Sequence, residues 1–319
     1  MAVYTHLSSE DLAELVSAYN VGELVSAKGI AEGVSNSNWI VETSEGRFIL
    51  TMYERRIDIG NLPYFLGLLD HLSAKGCPVP RTIHDKSGAL SREIDGKAVA
   101  LIEFLPGVSP DTPSPEQARA VGTQLARLHE ASRDFGGRRA NQLDIAATAR
   151  TLVQCGEAGL ARIDPSLPRI IEIAREVESD WPDGLPRSTC HTDLFPDNVL
   201  MRGDRVTGLI DFYFACEEAM AYDLAVTHAA WSFDRTGTQF DPRIGAAIVE
   251  GYESVRPLEA EERQHLPLLA QGAALRFVAS RAEDWLETAD DALVRRKDPM
   301  DFARRLEFYR RNGAEAFAR

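Results

Sequence analysis

The chain has 319 residues, 44% apolar and 26% charged, a mixture that excludes a disordered tract, a collagen-like repeat and a disulfide-stapled miniprotein. Its 35 basic and 49 acidic side chains leave a net charge of −14. That balance argues against sequence-independent nucleic-acid binding and against a polybasic grip on anionic membranes, but not against a small anion held through a metal.

The length suggests two domains, or two lobes of one unit. Ser8 and Asp11 have the spacing of a capping box, and Leu12, Leu15, Val16 and Tyr19 follow at helical spacing, so an amphipathic helix opens the fold. Residues 24–53 change period. Leu24 to Ala27, Trp39 to Val41 and Phe48 to Leu50 predict a three-stranded meander, with a polar loop from Gly29 to Ser37 and a turn at Glu45-Gly46. Asn61 and Pro63 mark a helix start, Leu62, Phe65, Leu66, Leu69 and Leu72 supply its apolar stripe, and Gly76 ends it. A second hairpin turns at Asp95-Gly96, from Ala89–Ile94 into Lys97–Phe104. Residues 1–105 therefore form one β-rich unit. Pro110, Pro113 and Pro115 punctuate a linker, and Ser114 with Gln117 forms a second capping box. Residues 106–319 are mainly helical, with predicted helices near 114–132, 144–156, 166–179, 219–232, 242–254, 258–288 and 298–311.

Cys77, Cys155, Cys190 and Cys216 are far apart, without a C-x-x-C, so a zinc ribbon or redox dithiol is not expected. Such unclustered thiols point to a reducing, cytoplasmic compartment. The first residues carry no basic and apolar leader pattern, and no stretch approaches the length of a membrane span. The histidines lack paired metal-ligand spacing.

One non-helical island, residues 187–213, interrupts the helices. Asp193 lies in a loop that Pro196 keeps from becoming helical. Asn198 enters the short strand Val199-Leu200-Met201, a turn follows at 202–205, and the strand Val206 to Ile210 ends on Asp211. An antiparallel hairpin of this kind brings Asp193, Asn198 and Asp211 together. Carboxylate and amide oxygens suit a hard cation such as Mg²⁺ shared with phosphates, and a loop carboxylate beside it can accept a hydroxyl proton.

His191-x-Asp193 followed by Asn198 resembles the H-x-D-x-x-x-x-N loop of protein-kinase-like enzymes, and Asp211 falls where that superfamily carries its metal-binding aspartate. The wording His191-Thr192-Asp193-Leu194, Asn198-Val199-Leu200 and Leu209-Ile210-Asp211-Phe212, with Tyr222-Asp223-Leu224-Ala225, is closer to the aminoglycoside phosphotransferase and choline kinase branch. Within it the chain most resembles the homoserine kinase group, through Gly208 to Cys216, Gly251-Tyr252, Ala273 to Phe277, Ser280-Arg281 and Lys297-Asp298-Pro299.

The resemblance implies an α+β, protein-kinase-like two-lobe fold, with an antiparallel N-lobe sheet and a larger helical C-lobe. It implies ATP-dependent phosphorylation of the homoserine hydroxyl. Asp193 would be the catalytic base, Asn198 and Asp211 the Mg²⁺ ligands, and His191 and Asp223 structural supports. Gly33, Ser35 and Ser37 would lie in a phosphate-covering loop, although the Gly-rich pattern is absent, and Glu103 to Leu105 would meet adenine. The strand position expected to carry a phosphate-binding lysine is Thr51, and the following helix has only Asp70 as an acid. Arg47, Arg55 and Arg56 remain as alternative cations.

A zwitterionic amino-acid substrate needs a cation for its carboxylate, for which Trp231, Arg276 and Arg281 mark the candidate region, and an acid such as Glu217 or Asp284 for its ammonium. Tyr213 and Phe214 fit core and pocket wall equally. Two alternatives stay open: a kinase of another small hydroxyl compound (choline or another amino alcohol, methylthioribose, an aminoglycoside), and a nucleotide-binding pseudokinase.

Overall fold

A computed structural model describes residues 7–30, 36–53, 58–288 and 296–318. The chain begins with α1 (Ser9–Ser17), where the Ser8–Asp11 capping box forms in both directions. Strands β1 (Leu24–Ile30), β2 (Asn36–Thr43) and β3 (Gly46–Tyr53) form the expected meander, with Trp39 opposite Leu50 and Asn38 opposite Thr51. Helix α2 (Leu62–Ala74) follows, then β4 (Thr82–Ile83), β5 (Arg92–Ile94) and β6 (Lys97–Glu103). The sheet order is β1-β2-β3-β6-β4, all antiparallel, with β5 also pairing β6. The two-residue β4 is absent from the sequence expectation, being too short to carry a period.

Leu12, Leu15 and Val16 of α1 cover one side of this sheet with Trp39, Val41, Leu50, Met52 and Leu101. Helix α2 serves both lobes. Leu62 and Leu66 pack with Tyr53, Ala98 and Ala100, whereas Leu68, Leu69 and Leu72 enter the core of the helical lobe.

The helical lobe contains α3 (Pro115–Ala131), α4 (Ile145–Ile163), α5 (Ile170–Ser179), α6 (Met220–Trp231), α7 (Pro242–Glu253), α8 (Ala260–Glu287) and α9 (Met300–Ala316). Ser114 and Gln117 cap α3 as the sequence predicts. Gly156, at φ 68° and ψ 157°, breaks α4 at the expected end near residue 156, and a second helical segment continues beyond this kink to Ile163. Helices α3 and α7 approach closely because each offers a glycine: a Cβ on Gly122 would lie 2.0 Å from the Ile248 oxygen, and one on Gly251 2.0 Å from the Arg119 oxygen. Helix α6 is buried throughout. Among the described residues, no helix is long and apolar enough to cross a membrane.

Between α5 and α6 lie β7 (Arg187–Cys190), the hairpin of β8 (Val199–Arg202) and β9 (Arg205–Leu209), and β10 (Cys216–Ala219), which pairs with β7. The interlobe linker is tied to this hairpin: Val108 and Met201 exchange backbone hydrogen bonds of 3.0 and 2.9 Å. Gly107 permits that approach, since a Cβ there would stand 2.5 Å from the Thr207 hydroxyl.

Candidate active site

The β8–β9 hairpin opposes Val199 to Leu209, and one residue beyond it the Ile210 N–H donates to the Asn198 oxygen at 3.0 Å. This register places Asp211 at the mouth of the hairpin beside Asn198. Asn198 is fixed in turn by its Nδ2, which donates to the Asp193 carbonyl at 2.8 Å and reaches the Asp193 carboxylate at 3.4 Å. Its Oδ1 is the atom left for a cation. The Asp193 oxygen also accepts from the Phe195 N–H at 2.9 Å, closing the loop ahead of Pro196.

The electrostatics tie the carboxylates to one neighbourhood. Asp211 opens to solvent on one side, yet the protein around it removes enough water to raise its carboxyl; with the Asp193 and Asp197 charges, it reaches about 7. Burial also raises Asp193, against the lowering effect of Arg276, His191 and Lys297. Such crowding of carboxylates with an amide oxygen is a set that a divalent cation relieves, and all-oxygen donors fit a hard ion.

Behind the loop stands a buried support. Asp223, the fourth residue of α6, accepts from the His191 N–H at 2.7 Å, the Thr192 N–H at 2.8 Å and His129 Nε2 at 3.0 Å. Burial would raise this carboxyl, but these donors outweigh it and hold it below the usual carboxylate range. The His191 Nδ1 accepts from the Asp193 N–H at 3.2 Å, which leaves Nε2–H to donate to the Ile210 carbonyl at 2.9 Å. The ring is therefore neutral, as burial also favours by lowering its pKa, and it links the loop to the end of β9. His129 on α3, which the sequence reading passed over, is the third member of this network; its Nδ1 meets the Tyr252 hydroxyl at 2.8 Å. A histidine on a helix's apolar face gives no local sign of such a partner. His129, Cys190 and Asp223 present ligand atoms within 4.8 Å of one another, but the imidazole and carboxylate are committed to these bonds, and burial keeps the Cys190 thiol protonated.

The residues singled out for substrate lie differently. Trp231 is 2% exposed, and its Nε1 donates to the Leu194 carbonyl at 2.8 Å, so it braces the loop from behind. Arg281 Nη1 donates to the Asp298 carbonyl at 2.9 Å and to Asp301 at 3.0 Å, joining α8 to the start of α9. Arg276 is buried, donates to the Thr192 carbonyl, and brings Nη2 within 3.7 Å of Asp193 Oδ1. Lys297, in the Lys297-Asp298-Pro299 stretch that carries part of the family resemblance, lies close enough to draw down both Asp193 and Asp211.

On the N-lobe side, Gly33 and Ser35 lie outside the described residues, as do Arg55 and Arg56. Ser37 is buried on β2 opposite Met52. Thr51, in the position expected for lysine, is buried and donates to Asn38 Oδ1 at 2.8 Å, while the neighbouring Tyr53 and Tyr213 hydroxyls meet at 3.2 Å. Arg47 pairs with Glu42 on an exposed surface at 3.4 Å, and Asp70 pairs with His84 at 2.5 Å. Glu103 exchanges backbone and side-chain hydrogen bonds with Arg81 at 2.9 and 3.3 Å, and Leu105 lies against Gly208 of β9.

A strand-built N-lobe, a helical C-lobe and an Asp-Asn-Asp constellation gathered around the β8–β9 hairpin of the helical lobe define a phosphotransferase. The chain belongs to the phosphotransferase enzyme family, whose model matches residues 26–258. It is 48% identical over 311 residues to a homoserine kinase of Methylobacterium radiotolerans, covering 97% of this chain and 96% of that one. A homoserine kinase of Xanthobacter autotrophicus is 44% identical over 311 residues, with coverage of 97% and 96%. Among solved structures, an amicoumacin kinase in complex with AMP-PNP, Ca²⁺ and Ami shares the fold with a TM-score of 0.68 and 13% identity, over 97% of this chain and 94% of that one.

Proposed function

We propose that the chain is an ATP-dependent homoserine kinase that works with Mg²⁺ in the cytoplasm. The observation that carries the reading is the hydrogen-bonded convergence of Asp193 and Asn198 beside the end of β9, which delivers Asp211. The homoserine kinase relatives, matched over nearly the whole chain, support the substrate. Asp193 orients the acceptor hydroxyl and takes its proton as that oxygen bonds to the γ-phosphorus and the bond to the ADP oxygen breaks. Asn198 Oδ1 and the Asp211 carboxylate hold the cation, which neutralises phosphate charge when bound. We assign the adenine contact to the backbone of Glu103 to Leu105 and the phosphate contacts to Gly33 and Ser35, which lie outside the described residues; Ser37, buried within β2, is not included. Lys297 supplies positive charge from the C-lobe to the neighbourhood of Asp193 and Asp211.

The test is an ADP-coupled assay with L-homoserine, choline, 3-amino-1-propanol, methylthioribose and an aminoglycoside. ADP release with homoserine, lost on chelation of divalent cations and restored by Mg²⁺, is expected. Phosphorylation of choline but not homoserine would overturn the substrate. Thr51 in place of lysine favours a second reading, a pseudokinase; nucleotide binding without turnover of any acceptor would select it.

A further inference from the structure

Thr192, immediately before Asp193, has φ 59°, a left-handed backbone that a β-branched residue adopts only at a cost. Each of its polar groups is taken by a different element. Its N–H donates to Asp223 of α6 at 2.8 Å, its hydroxyl donates to the Phe214 carbonyl at 3.0 Å, and its carbonyl accepts from Arg276 Nη1 of α8. Arg276 is itself confined. Its guanidinium carbon lies 5.3 Å from the Phe214 ring centre and 4.7 Å from that of Phe277, and Nη2 stands 3.7 Å from Asp193 Oδ1. At 3% exposure, with rings against it and both terminal nitrogens turned to the loop, the guanidinium presents no open edge to an incoming carboxylate.

We infer that Arg276 is a positioning residue: by clamping the left-handed Thr192 it sets the direction in which Asp193 presents its carboxylate, and it does not bind the acceptor. The inference rests on the kinase reading above, in which Asp193 is the base. An aspartate side chain pivots about its own backbone, so a rotation at Thr192 moves its oxygens by a large fraction of an ångström, enough to degrade an in-line attack.

The experiment compares the full-length wild type with Arg276→Met, Arg276→Lys and Arg276→Met/Thr192→Gly, with folding followed by circular dichroism. Turnover is measured with L-homoserine and with 3-amino-1-propanol, the same hydroxyl and amine without the carboxylate. Arg276→Met is expected to lose about 10- to 100-fold in kcat with both acceptors, to hold the homoserine KM within about threefold, and to leave the ratio of the two kcat/KM values unchanged. Lysine can reach the Thr192 carbonyl without filling the guanidinium's place, so Arg276→Lys is expected to fall between wild type and Met, and it carries the test if Met does not fold. Glycine adopts the left-handed backbone without strain, so Thr192→Gly should return at least about threefold of kcat to the Met variant. A homoserine KM raised about tenfold or more, with 3-amino-1-propanol turnover untouched, would mean that Arg276 reads the carboxylate and would overturn the inference. So would unchanged kcat in folded Arg276→Lys. Failure of the wild type to phosphorylate homoserine while phosphorylating 3-amino-1-propanol strikes the substrate reading alone, because the kcat comparison then proceeds with the amino alcohol.

Discussion

Replacing Asp223 by alanine removes the acceptor for the His191 N–H, the Thr192 N–H and His129 Nε2, bonds of 2.7, 2.8 and 3.0 Å. Asp223 and His129 have no exposed surface, so water does not reach these donors without local opening. A buried donor left unpaired costs about 1–3 kcal/mol, and local relaxation recovers part of that, so a loss of about 3–6 kcal/mol is expected. Against a typical domain stability of about 5–15 kcal/mol, the variant should fold but unfold at markedly lower urea. Activity should fall further than stability explains, because two of the three donors belong to the residues that precede Asp193. Asp223→Asn keeps one acceptor oxygen but turns an amide donor toward a second donor, so it should lie between wild type and alanine. The assay is urea unfolding alongside kcat, with His129→Ala and the double variant completing a cycle. A coupling energy above about 1 kcal/mol is expected between residues 129 and 223, since each loses its partner when the other is removed. Stability within about 0.5 kcal/mol of wild type and unaltered kcat in Asp223→Ala would refute the reasoning.

Three other outcomes are expected. Asp193→Asn should lower kcat by about 10²- to 10⁴-fold with little change in nucleotide affinity, measured by steady-state turnover and nucleotide titration; a smaller loss would remove the base from Asp193. His228 is fully buried with Nδ1 on the Tyr309 hydroxyl at 2.7 Å, and burial lowers its pKa to about 3. The unfolded chain therefore binds the proton first, and this stability, complete above about pH 6.5, declines by about 1.4 kcal/mol for each unit below it, so between pH 7 and pH 5 the unfolding free energy should fall less steeply for His228→Gln than for wild type. Gly122→Ala should push α3 from α7 and cost about 1–3 kcal/mol in urea unfolding, because the added carbon meets the Ile248 carbonyl rather than a movable side chain.

Where local chemistry and short-range geometry coincide, the sequence was legible. Capping boxes at Ser8 and Ser114 form because their partners lie three residues away. The β8–β9 hairpin follows from two short apolar runs around a turn, and with it the meeting of Asn198 and the end of β9. The pairing of β7 with β10 was not visible, since Arg187–Cys190 and Cys216–Ala219 are four-residue strands separated by residues 191–215. The reach of α2 into both cores was hidden for a related reason: one apolar stripe does not say that Leu66 and Leu69 have different neighbours.

Residue type proved a poor guide to what the arginines and tryptophan meet. A helix arginine near a catalytic motif can serve a ligand or the backbone with the same donors. The choice is made by what packs over it, here Phe214 and Phe277 over Arg276 and Phe302 over Arg281. The missing N-lobe lysine has a similar physical resolution. Thr51 is buried and hydrogen-bonded to Asn38, beside tyrosines 53 and 213, a neutral setting in which an ammonium would need a carboxylate partner. Asp70, the one acid of α2, is already occupied with His84 and the Thr82 N–H. In the kinase reading proposed above, Lys297, exposed and near enough to lower Asp193 and Asp211, supplies positive charge to these carboxylates without burying an unpaired cation.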